Sequence, residues 1–301
     1  MSAKALAGLL LSAAASLAGC SGLPTIAPGT TASTTPVQLQ GPRGPLSEAQ
    51  SKSVLTRLAR GADDTQIFER HLAREEAVTG SPLTTGNRVQ LLEDGPATYQ
   101  AMLSAIAQAR DHVHMETYIL DDDAVGRQFV AALLAQQARG VQVNLIYDSA
   151  GTLSTPAALF DQLKTAGVQV LEFNPLNPLK LLESRRAWEL NQRDHRKLLI
   201  VDGSTAFLGG INISSVYSGG SSRRHSTDNP AWRDTDVQLH GPVVAELQKL
   251  FLASWASQKG PALQPRLWFR RQSKPAPWSC APSAARRKSL SARSTPLCCL
   301  Q

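Results

Sequence analysis

The stretch DHRKLLIVDGSTAFLGGINIS, in the second half of the chain, holds the side chains whose types and spacing best suit catalysis. Successive side chains of a strand point to opposite faces, so His195 and Lys197 project from the same side and can converge on one ligand. Gly209 and Gly210 permit close approach of the backbone, and Asn212 adds an amide donor. Imidazole, ammonium and amide groups that meet at one point suit an anionic tetrahedral phosphorus, which the imidazole attacks while the other two neutralise oxygens. Such a set requires no metal and no other cofactor.

Two further groups of polar residues fit a structural role better than a metal site. His112 and His114 alternate on a predicted strand, but no third ligand follows at a fixed spacing, which favours histidines without a metal. The run Asp121–Asp123 resembles a cation loop only in its charge, and we interpret it as a turn that caps the next helix.

Short apolar runs alternate with longer helical segments from about Thr85 onwards. The predicted strands are Arg88–Leu92, Val113–Ile119, Val141–Tyr147, Val168–Phe173, Lys197–Val201 and Ala206–Leu208, and the predicted helices are Ala97–Arg110, Ala124–Arg139, Pro156–Ala166 and Val243–Ser257. Continuous apolar strands that alternate with helices predict an α/β sandwich with a mostly parallel, buried central sheet.

The formal net charge of +7 comes from the C-terminal end of the chain alone. Residues 261–301 contain eight Lys and Arg and no acid, which leaves 23 basic and 24 acidic residues in 1–260. A near-neutral body offers no general surface for a polynucleotide, so nucleic acid is disfavoured as a partner. The composition of the tail favours a shifted reading frame or truncation of a longer gene over a membrane- or nucleic-acid-binding tail.

The N-terminus has the pattern of a secretory signal. Lys4 precedes an apolar run, Ala5–Leu17, which is shorter than the roughly 20 residues of a transmembrane helix. The sequence Leu-Ala-Gly-Cys ends at Cys20 and resembles the lipobox of bacterial lipoproteins. This resemblance implies a cleaved signal peptide and acyl chains on Cys20. The residue after Cys20 is Ser21, which resembles the pattern of lipoproteins that are sorted to an outer membrane. The protein is then expected to face the periplasm.

The rest of the chain divides by composition. The expected segments are a signal peptide at 1–19, a flexible Pro-, Gly-, Thr- and Ser-rich tether at 20–45, a helical lead-in at 46–80, the compact domain at 81–258 and the basic low-complexity tail at 259–301. Three further cysteines, Cys280, Cys298 and Cys299, lie in that tail, and their odd number and position do not form a disulfide framework.

The spacing His-x-Lys-x4-Asp-x6-Gly-Gly-x-Asn, from His195 to Asn212, resembles the HKD signature of the phospholipase D superfamily. Its surroundings, over roughly residues 80–258, are similar to the N-terminal half of bacterial cardiolipin synthases. The likeness rests on GNRV from Gly86, HMETY from His114, GVQV from Gly140, FNP from Phe173 and WRDT from Trp232. The resemblance implies a phospholipase D-like α/β/α sandwich with one repeat.

The resemblance also implies a role for each residue of the motif. His195 is expected to be the nucleophile that forms a phosphohistidine, with Lys197 and Asn212 binding the phosphate oxygens. Asp234 is expected to orient His195, because a carboxylate behind an imidazole fixes the tautomer and stabilises the charged ring. Asp202 ranks below these four, as a residue that holds the strand-to-turn geometry.

Glu116 lies in a segment that matches the family, where it is expected either to line the site beside Gly209 and Gly210 or to serve as a structural acid at a strand end.

The chain departs from the family in holding one HKD motif where two normally face each other. One histidine attacks and the other protonates the leaving alcohol, a contribution of about 10²- to 10⁴-fold in rate. Either two copies of the chain form a homodimer across the active site, or the second half is lost. The leading hypothesis is a membrane-anchored phosphatidyltransferase or phosphodiesterase of cardiolipin synthase type, acting on a phospholipid such as phosphatidylglycerol. The alternatives are a nuclease-like phosphodiesterase dimer and an inactive truncated lipoprotein.

Overall fold

A computed structural model describes residues 37–59, 83–176, 192–219 and 232–264, together with residues 72, 266, 268 and 269. The predicted signal peptide with Cys20, most of the tether and lead-in, and the tail beyond 269 lie outside the described residues. The chain divides into two compact units, of which one contains the helix Glu48–Ala59 and the other contains Gln38–Ser47 and Pro82–Cys299. None of the helices within the described ranges is long and apolar enough to cross a bilayer.

The second unit alternates strands and helices, as the sequence predicted. In chain order the elements of the protein are β1 Gln40–Gly41, β2 Gly44–Pro45, α1 Glu48–Ala59, β3 Arg88–Leu92, α2 Gly95–Ala107, β4 His112–Thr117, α3 Ala124–Ala138, β5 Gln142–Asp148, α4 Ala157–Thr165, β6 Gln169–Phe173, β7 Leu198–Val201, β8 Thr205–Gly209, a 3₁₀ turn Ser215–Tyr217, β9 Asp236–His240 and α5 Val243–Ser257. The predicted strands and helices agree with these bounds to within three residues, whereas β9 was not predicted.

Seven strands form one mixed sheet in the order β3-β9-β8-β7-β4-β5-β6. Only β4–β5 and β5–β6 pair in parallel, and the other four pairs are antiparallel. The expectation of a mostly parallel sheet is therefore wrong. Helices cover both faces of the central strands, so these strands are apolar whichever way their neighbours run, and an apolar run cannot report direction.

The hairpin between β7 and β8 shows how direction is set. Only three residues, 202–204, separate the two strands, and so short a connection requires antiparallel neighbours. Asp202 and Gly203 both have positive φ, 54° and 58°, a conformation typical of an Asp-Gly hairpin turn. The Asp-Gly pair in the sequence therefore indicates that the two strands beside it, β7 and β8, run antiparallel.

Helices lie on both faces of the sheet, which confirms the α/β/α arrangement. Helices α2, α3 and α4 pack on one face, where Phe129, Leu145 and Phe207 are completely buried. Helix α5 packs on the other face over Ile146 and Ile200. The central strands therefore lie between two apolar cores, and polar catalytic side chains are expected at the ends of the strands.

The acidic run after β4 caps a helix, as the sequence predicted. The side chain of Asp123 accepts hydrogen bonds from the backbone amides of Val125 and Gly126, both at 2.9 Å, at the start of α3. The same carboxylate accepts the amide of Ser215 at 2.6 Å. Asp123 therefore ties the start of α3 to the loop that follows β8.

The histidines of β4 are buried beneath α5. The ring of His114 stacks on Phe251 with centroids 4.4 Å apart, and its Nδ1 lies 2.6 Å from Nε2 of Gln248. The ring of Trp268 lies edge-on to His114 at 5.9 Å. Among the described residues, no group of three or more His, Cys, Asp and Glu side chains is placed to bind a metal ion.

Replacing His114 with Gln should change how stability depends on pH. Burial, and to a lesser extent the charge of neighbouring His112, holds the pKa of His114 well below its ordinary value of 6.5. The unfolded chain takes up this proton at higher pH than the folded chain, so protonation destabilises the fold below about pH 6.5, by up to about 1.4 kcal/mol per pH unit. The variant lacks this titrating group, so only wild type loses stability from it as the pH falls. We expect denaturant unfolding to show that the difference in free energy of unfolding between wild type and His114→Gln becomes smaller between pH 7 and pH 5.

The matched control is Phe129→Leu, in the core on the other face of the sheet, which removes no titratable group. Its deficit should not change with pH. A His114→Gln deficit that is equally constant would contradict the buried neutral histidine.

Candidate active site

The motif residues other than Asp202 lie at one edge of the sheet, where β7 begins and β8 ends. His195 and Lys197 lie in the extended segment before β7, three residues and one residue ahead of the start of the strand at Leu198. Gly209 is the last residue of β8, and Asp236, the first residue of β9, pairs with it. Asp234 lies just before that pair. The fold thus brings together three segments separated by up to 40 residues of sequence.

His195 is exposed at this edge. Its ring lies on the half-buried ring of Tyr118, with centroids 4.5 Å apart and planes tilted by 50°. Within the described residues, the His195 ring makes no hydrogen bond. An imidazole that is exposed, oriented by one aromatic contact and free of hydrogen bonds is well placed to attack an electrophile from solution. Tyr118 was not predicted as a site residue, although it ends the HMETY segment.

Lys197 is almost completely buried, at 4% exposure, beside the same tyrosine. Its Nζ donates to the carbonyl oxygen of His195 at 2.6 Å and lies 5.2 Å from the centre of the Tyr118 ring. Burial lowers the pKa of Lys197 to about 8, and nearby carboxylates oppose that effect. The ammonium is therefore mostly charged at pH 7 but loses its proton at mildly alkaline pH.

Asn212 is buried and braces the loop after β8. Its Oδ1 accepts the amide of Ile119 at 3.1 Å, and its Nδ2 donates to the hydroxyl of Tyr217 at 3.0 Å. Its carbonyl accepts the hydroxyl of Tyr99 at 2.7 Å. One N–H of the Asn212 amide is thus committed to the fold, and the predicted contact with phosphate would have to use the other.

The two glycines of the motif make room for carboxylates. A side chain on Gly210 would collide with the carboxyl group of Asp234, and a side chain on Gly209 would collide with that of Asp236. The close approach that these glycines permit is used here by the protein's own acids, and a role of Gly209 and Gly210 in binding substrate stays a prediction. Asp234 is exposed and accepts only the amide of Thr235, at 2.8 Å, among the described residues.

Asp236 was missed by the sequence analysis, although it alternates with Asp234 in the sequence DTD. It is 1% exposed, and its Oδ1 accepts the amide of Ile211 at 3.0 Å. Its Oδ2 is buried and has no hydrogen-bond partner in the described part of the chain. Burial, together with the charge of Asp234, raises the pKa of Asp236 to about 6.

Glu116 lies on the face of the sheet that α5 covers, the same face as His114. It is 1% exposed, and its Oε1 lies 3.1 Å from Nη2 of Arg196. Burial, and hydrogen bonding to Asp194, raise the pKa of Glu116 to about 9, so the group is protonated at pH 7. The structure shows no contact between Glu116 and His195 or Lys197, whose side chains point away from this face. Its position fits a structural acid better than a group that lines the site.

Asp202 holds the start of β4 from the hairpin turn. Its carboxylate accepts the backbone amides of Arg110, Asp111 and His112 at 2.8 to 3.1 Å. These bonds fix the turn between β7 and β8 against β4, at the end of β7 opposite to His195. The structure therefore places Asp202 away from the other motif residues.

Asp148 is a third residue, after Tyr118 and Asp236, that the sequence analysis did not select. It is completely buried at the end of β5, and its Oδ2 accepts the amide of Asp194 at 2.8 Å. Its Oδ1 accepts the amides of Ala150 at 2.8 Å and Gly151 at 3.3 Å. Gly151 packs so closely on Tyr118 that a side chain there would collide with the tyrosine carbonyl. One carboxylate thus fixes the backbone before His195 and the turn behind Tyr118.

Replacing Asp148 with Asn should destabilise the protein strongly. The variant keeps the shape of the side chain, but its amide nitrogen must face one of the backbone donors that the carboxylate now satisfies. We expect the free energy of unfolding to fall by about 2–4 kcal/mol, because hydrogen bonds to a buried charge are lost. Denaturant unfolding measures this change. Asp161→Asn, at an exposed position of α4, should cost less than about 1 kcal/mol, and equal costs would contradict the assigned role.

Comparisons with known proteins agree with the sequence motif. Cardiolipin synthase A from Pseudomonas putida is 40% identical over 178 residues, which cover 58% of this chain and 34% of the relative. Cardiolipin synthase 1 from Bacillus cereus is 34% identical over 176 residues, or 58% of this chain and 33% of the relative. The chain thus spans about a third of the length of these relatives.

Solved structures with a similar arrangement include Nuc from Salmonella typhimurium, a phospholipase D family member, with 18% identity and a TM-score of 0.41 over 60% of this chain and 99% of that chain. NucT from Helicobacter pylori matches with 16% identity and a TM-score of 0.40 over 57% of this chain and 97% of that chain.

A family model described as "Cardiolipin synthase, PLD-like domain" matches residues 102–253. The match includes the motif from His195 to Asn212 and both acids of the DTD sequence. Because it extends over half of the chain, the protein belongs to the family of cardiolipin synthase PLD-like domains.

Proposed function

We propose that this protein cleaves or transfers a phosphodiester of a phospholipid, with His195 as the nucleophile. The observation that carries the proposal is the exposed His195 ring, held against Tyr118 at a sheet edge with the ammonium of Lys197 behind it. The relatives named cardiolipin synthase support a phospholipid such as phosphatidylglycerol as the substrate. No cofactor is part of the proposal.

The reaction has two steps. A ring nitrogen of His195 attacks the phosphorus of the lipid phosphodiester, the bond from phosphorus to the head-group oxygen breaks, and a phosphohistidine forms. The head-group alcohol leaves with a proton from a general acid. A second alcohol, or water, then gives its proton to the same group and attacks the phosphohistidine, which releases His195 and completes transfer or hydrolysis. Lys197, with the second N–H of the Asn212 amide, balances charge on the phosphate oxygens.

Asp234 is the proposed orienting acid for the charged His195 ring. Among the described residues the two side chains are not hydrogen-bonded, and Asp234 lies against Gly210 at the same edge of the sheet. A carboxylate beside the His195 ring in the complex with substrate would orient the ring and stabilise the imidazolium that forms during attack.

The general acid is the part of the reaction that the described residues do not supply next to His195. We propose that it is the histidine of a second HKD motif, brought by a second copy of the chain in a homodimer. A two-fold axis through the site would place each His195 opposite the other, so each copy would use its partner's histidine. The exposure of His195 leaves it accessible to such a partner.

We further propose that the protein acts at the cell envelope, anchored by acyl chains on Cys20 to a membrane that faces the periplasm. Two or more acyl chains give stable anchoring, whereas one is marginal. The near-neutral charge of residues 1–260 supports a lipid substrate over nucleic acid, since polynucleotide binding depends on a basic surface. A nuclease-like phosphodiesterase and an inactive protein remain the competing proposals.

His195→Ala should abolish both turnover and formation of the phosphoenzyme. The full chain in detergent micelles is incubated with phosphatidylglycerol labelled at phosphorus, quenched in alkali, which preserves phosphohistidine, and analysed for labelled protein and labelled lipid products. We expect a drop of at least about 10³-fold, because the covalent route is lost. His71→Ala, a histidine outside the family match, should retain activity.

Equal lipid turnover by wild type and His195→Ala would contradict the proposed function. A parallel reaction with labelled single-stranded DNA distinguishes the nuclease, which would cleave DNA alone. If wild type is active, adding an excess of His195→Ala to a fixed amount of wild type should lower the turnover per wild-type chain, because mixed dimers would lack one of the two histidines of a shared site.

A further inference from the structure

Lys197, Gly209 and Asp236 form a row across three neighbouring strands. Gly209 of β8 pairs with Asp236 of β9. On the other side of β8, Leu208 pairs with Leu198 of β7, so the next position of that register sets Lys197 opposite Gly209. Directly opposed residues of antiparallel strands point to the same face. Strands lie about 4.8 Å apart, so the backbones of Lys197 and Asp236 are about 10 Å apart with only a glycine between them.

The missing side chain of Gly209 lets the carboxyl group of Asp236 lie across the row. Oδ1 of Asp236 occupies the place that a side chain on Gly209 would take, and the amide of Ile211 holds it there at 3.0 Å. The carboxyl group is therefore about one strand spacing closer to Lys197 than its own backbone is. Its Oδ2 is buried and has no hydrogen-bond partner within the described ranges.

The surroundings of Lys197 explain why a buried carboxylate would matter. Its ammonium contacts the carbonyl of His195 and the ring of Tyr118. The charges of Asp194, Asp234, Asp236 and Asp148 raise the pKa of Lys197 against the effect of burial. Asp148 and Asp194 are already hydrogen-bonded to backbone or to Arg196. Asp234 is exposed, so water and salt screen its charge.

We propose that Asp236 is a positioning residue for Lys197: its buried carboxylate, held over Gly209 on the face of the sheet that Lys197 shares, keeps the lysine charged at the edge of the sheet where His195 lies. The inference rests on the proposed function, in which the charged Lys197 binds the phosphate oxygens. It assigns to the second acid of the DTD sequence a role different from that of Asp234, which lies over Gly210 and is the proposed orienting acid for His195.

The experiment follows the ionisation of Lys197 directly. The full chain, with ¹³C-labelled lysine, is titrated by NMR, and Lys197→Arg identifies the Lys197 signal. In wild type the signal should titrate near pH 8 and should also respond near pH 6, where Asp236 ionises. In Asp236→Asn the response near pH 6 should vanish, and the main titration should move down by about 0.5–1 pH unit, because an opposite charge is lost.

Asp161→Asn, exposed on α4, is the matched control and should leave the Lys197 titration unchanged. An unchanged Lys197 titration in Asp236→Asn would overturn the proposal. If that variant fails to fold, the wild-type titration decides alone, since the absence of any response of Lys197 near pH 6 would also overturn it.

An activity measurement separates this proposal from the proposed function. If wild type turns over phosphatidylglycerol, the alkaline limb of its kcat/KM profile should move to lower pH in Asp236→Asn, by the same amount as the NMR titration. A chain without lipid activity would defeat the proposed function, and the NMR titration would still decide whether Asp236 controls Lys197. An active chain whose Lys197 ignores Asp236 would defeat the present inference alone.

Discussion

The amide of Asp194 donates to the completely buried carboxylate of Asp148, and this hydrogen bond joins the end of a parallel strand to the start of an antiparallel one. The segment before β7 has no strand partner of its own at that point, so a side chain must satisfy its backbone. Asp148 does so while its other oxygen fixes the turn behind Tyr118. The position of the His195 ring therefore depends on a residue that lies 47 positions earlier in the chain.

The site combines two kinds of electrostatic support. On one face of the sheet, the half-exposed Arg196 forms an ion pair with the buried Asp194 and lies 3.1 Å from the buried Glu116, which holds the motif segment against β4. On the other, burial lowers the pKa of Lys197, and the charges of four carboxylates oppose that effect; two of these, Asp234 and Asp236, lie over the glycines of the motif. Small residues in this motif thus serve to bring acids close to the sheet, which sets the charge state of the groups that would meet a phosphate.

Because His195 is exposed and the sequence holds one HKD motif, a second chain would have to supply the group that protonates the leaving alcohol. A phosphodiester can approach the His195 ring from solution, but the leaving alcohol needs a proton from a group that the described residues do not place there. A second copy facing the same edge would supply it and would exclude water from the lysine and the tyrosine. Family membership fixes the type of domain, and the lipid substrate and the dimer follow from chemistry as proposals.

The sequence by itself determined the α/β class, most of the strands and helices, the cap at Asp123 and the motif that identifies the family, because these depend on local periodicity and on fixed spacing within about twenty residues. It did not determine the direction of the strands, since helices on both faces make parallel and antiparallel strands equally apolar. Nor did it determine Tyr118, Asp148 and Asp236, which lack a motif and join the site only through strand pairing. Glu116 looked like a site residue for the opposite reason: its neighbours match the family, but the alternation of β4 turns it towards α5. Tertiary structure alone decided these positions, because the side a residue faces and the charges around it are set by the register of distant strands.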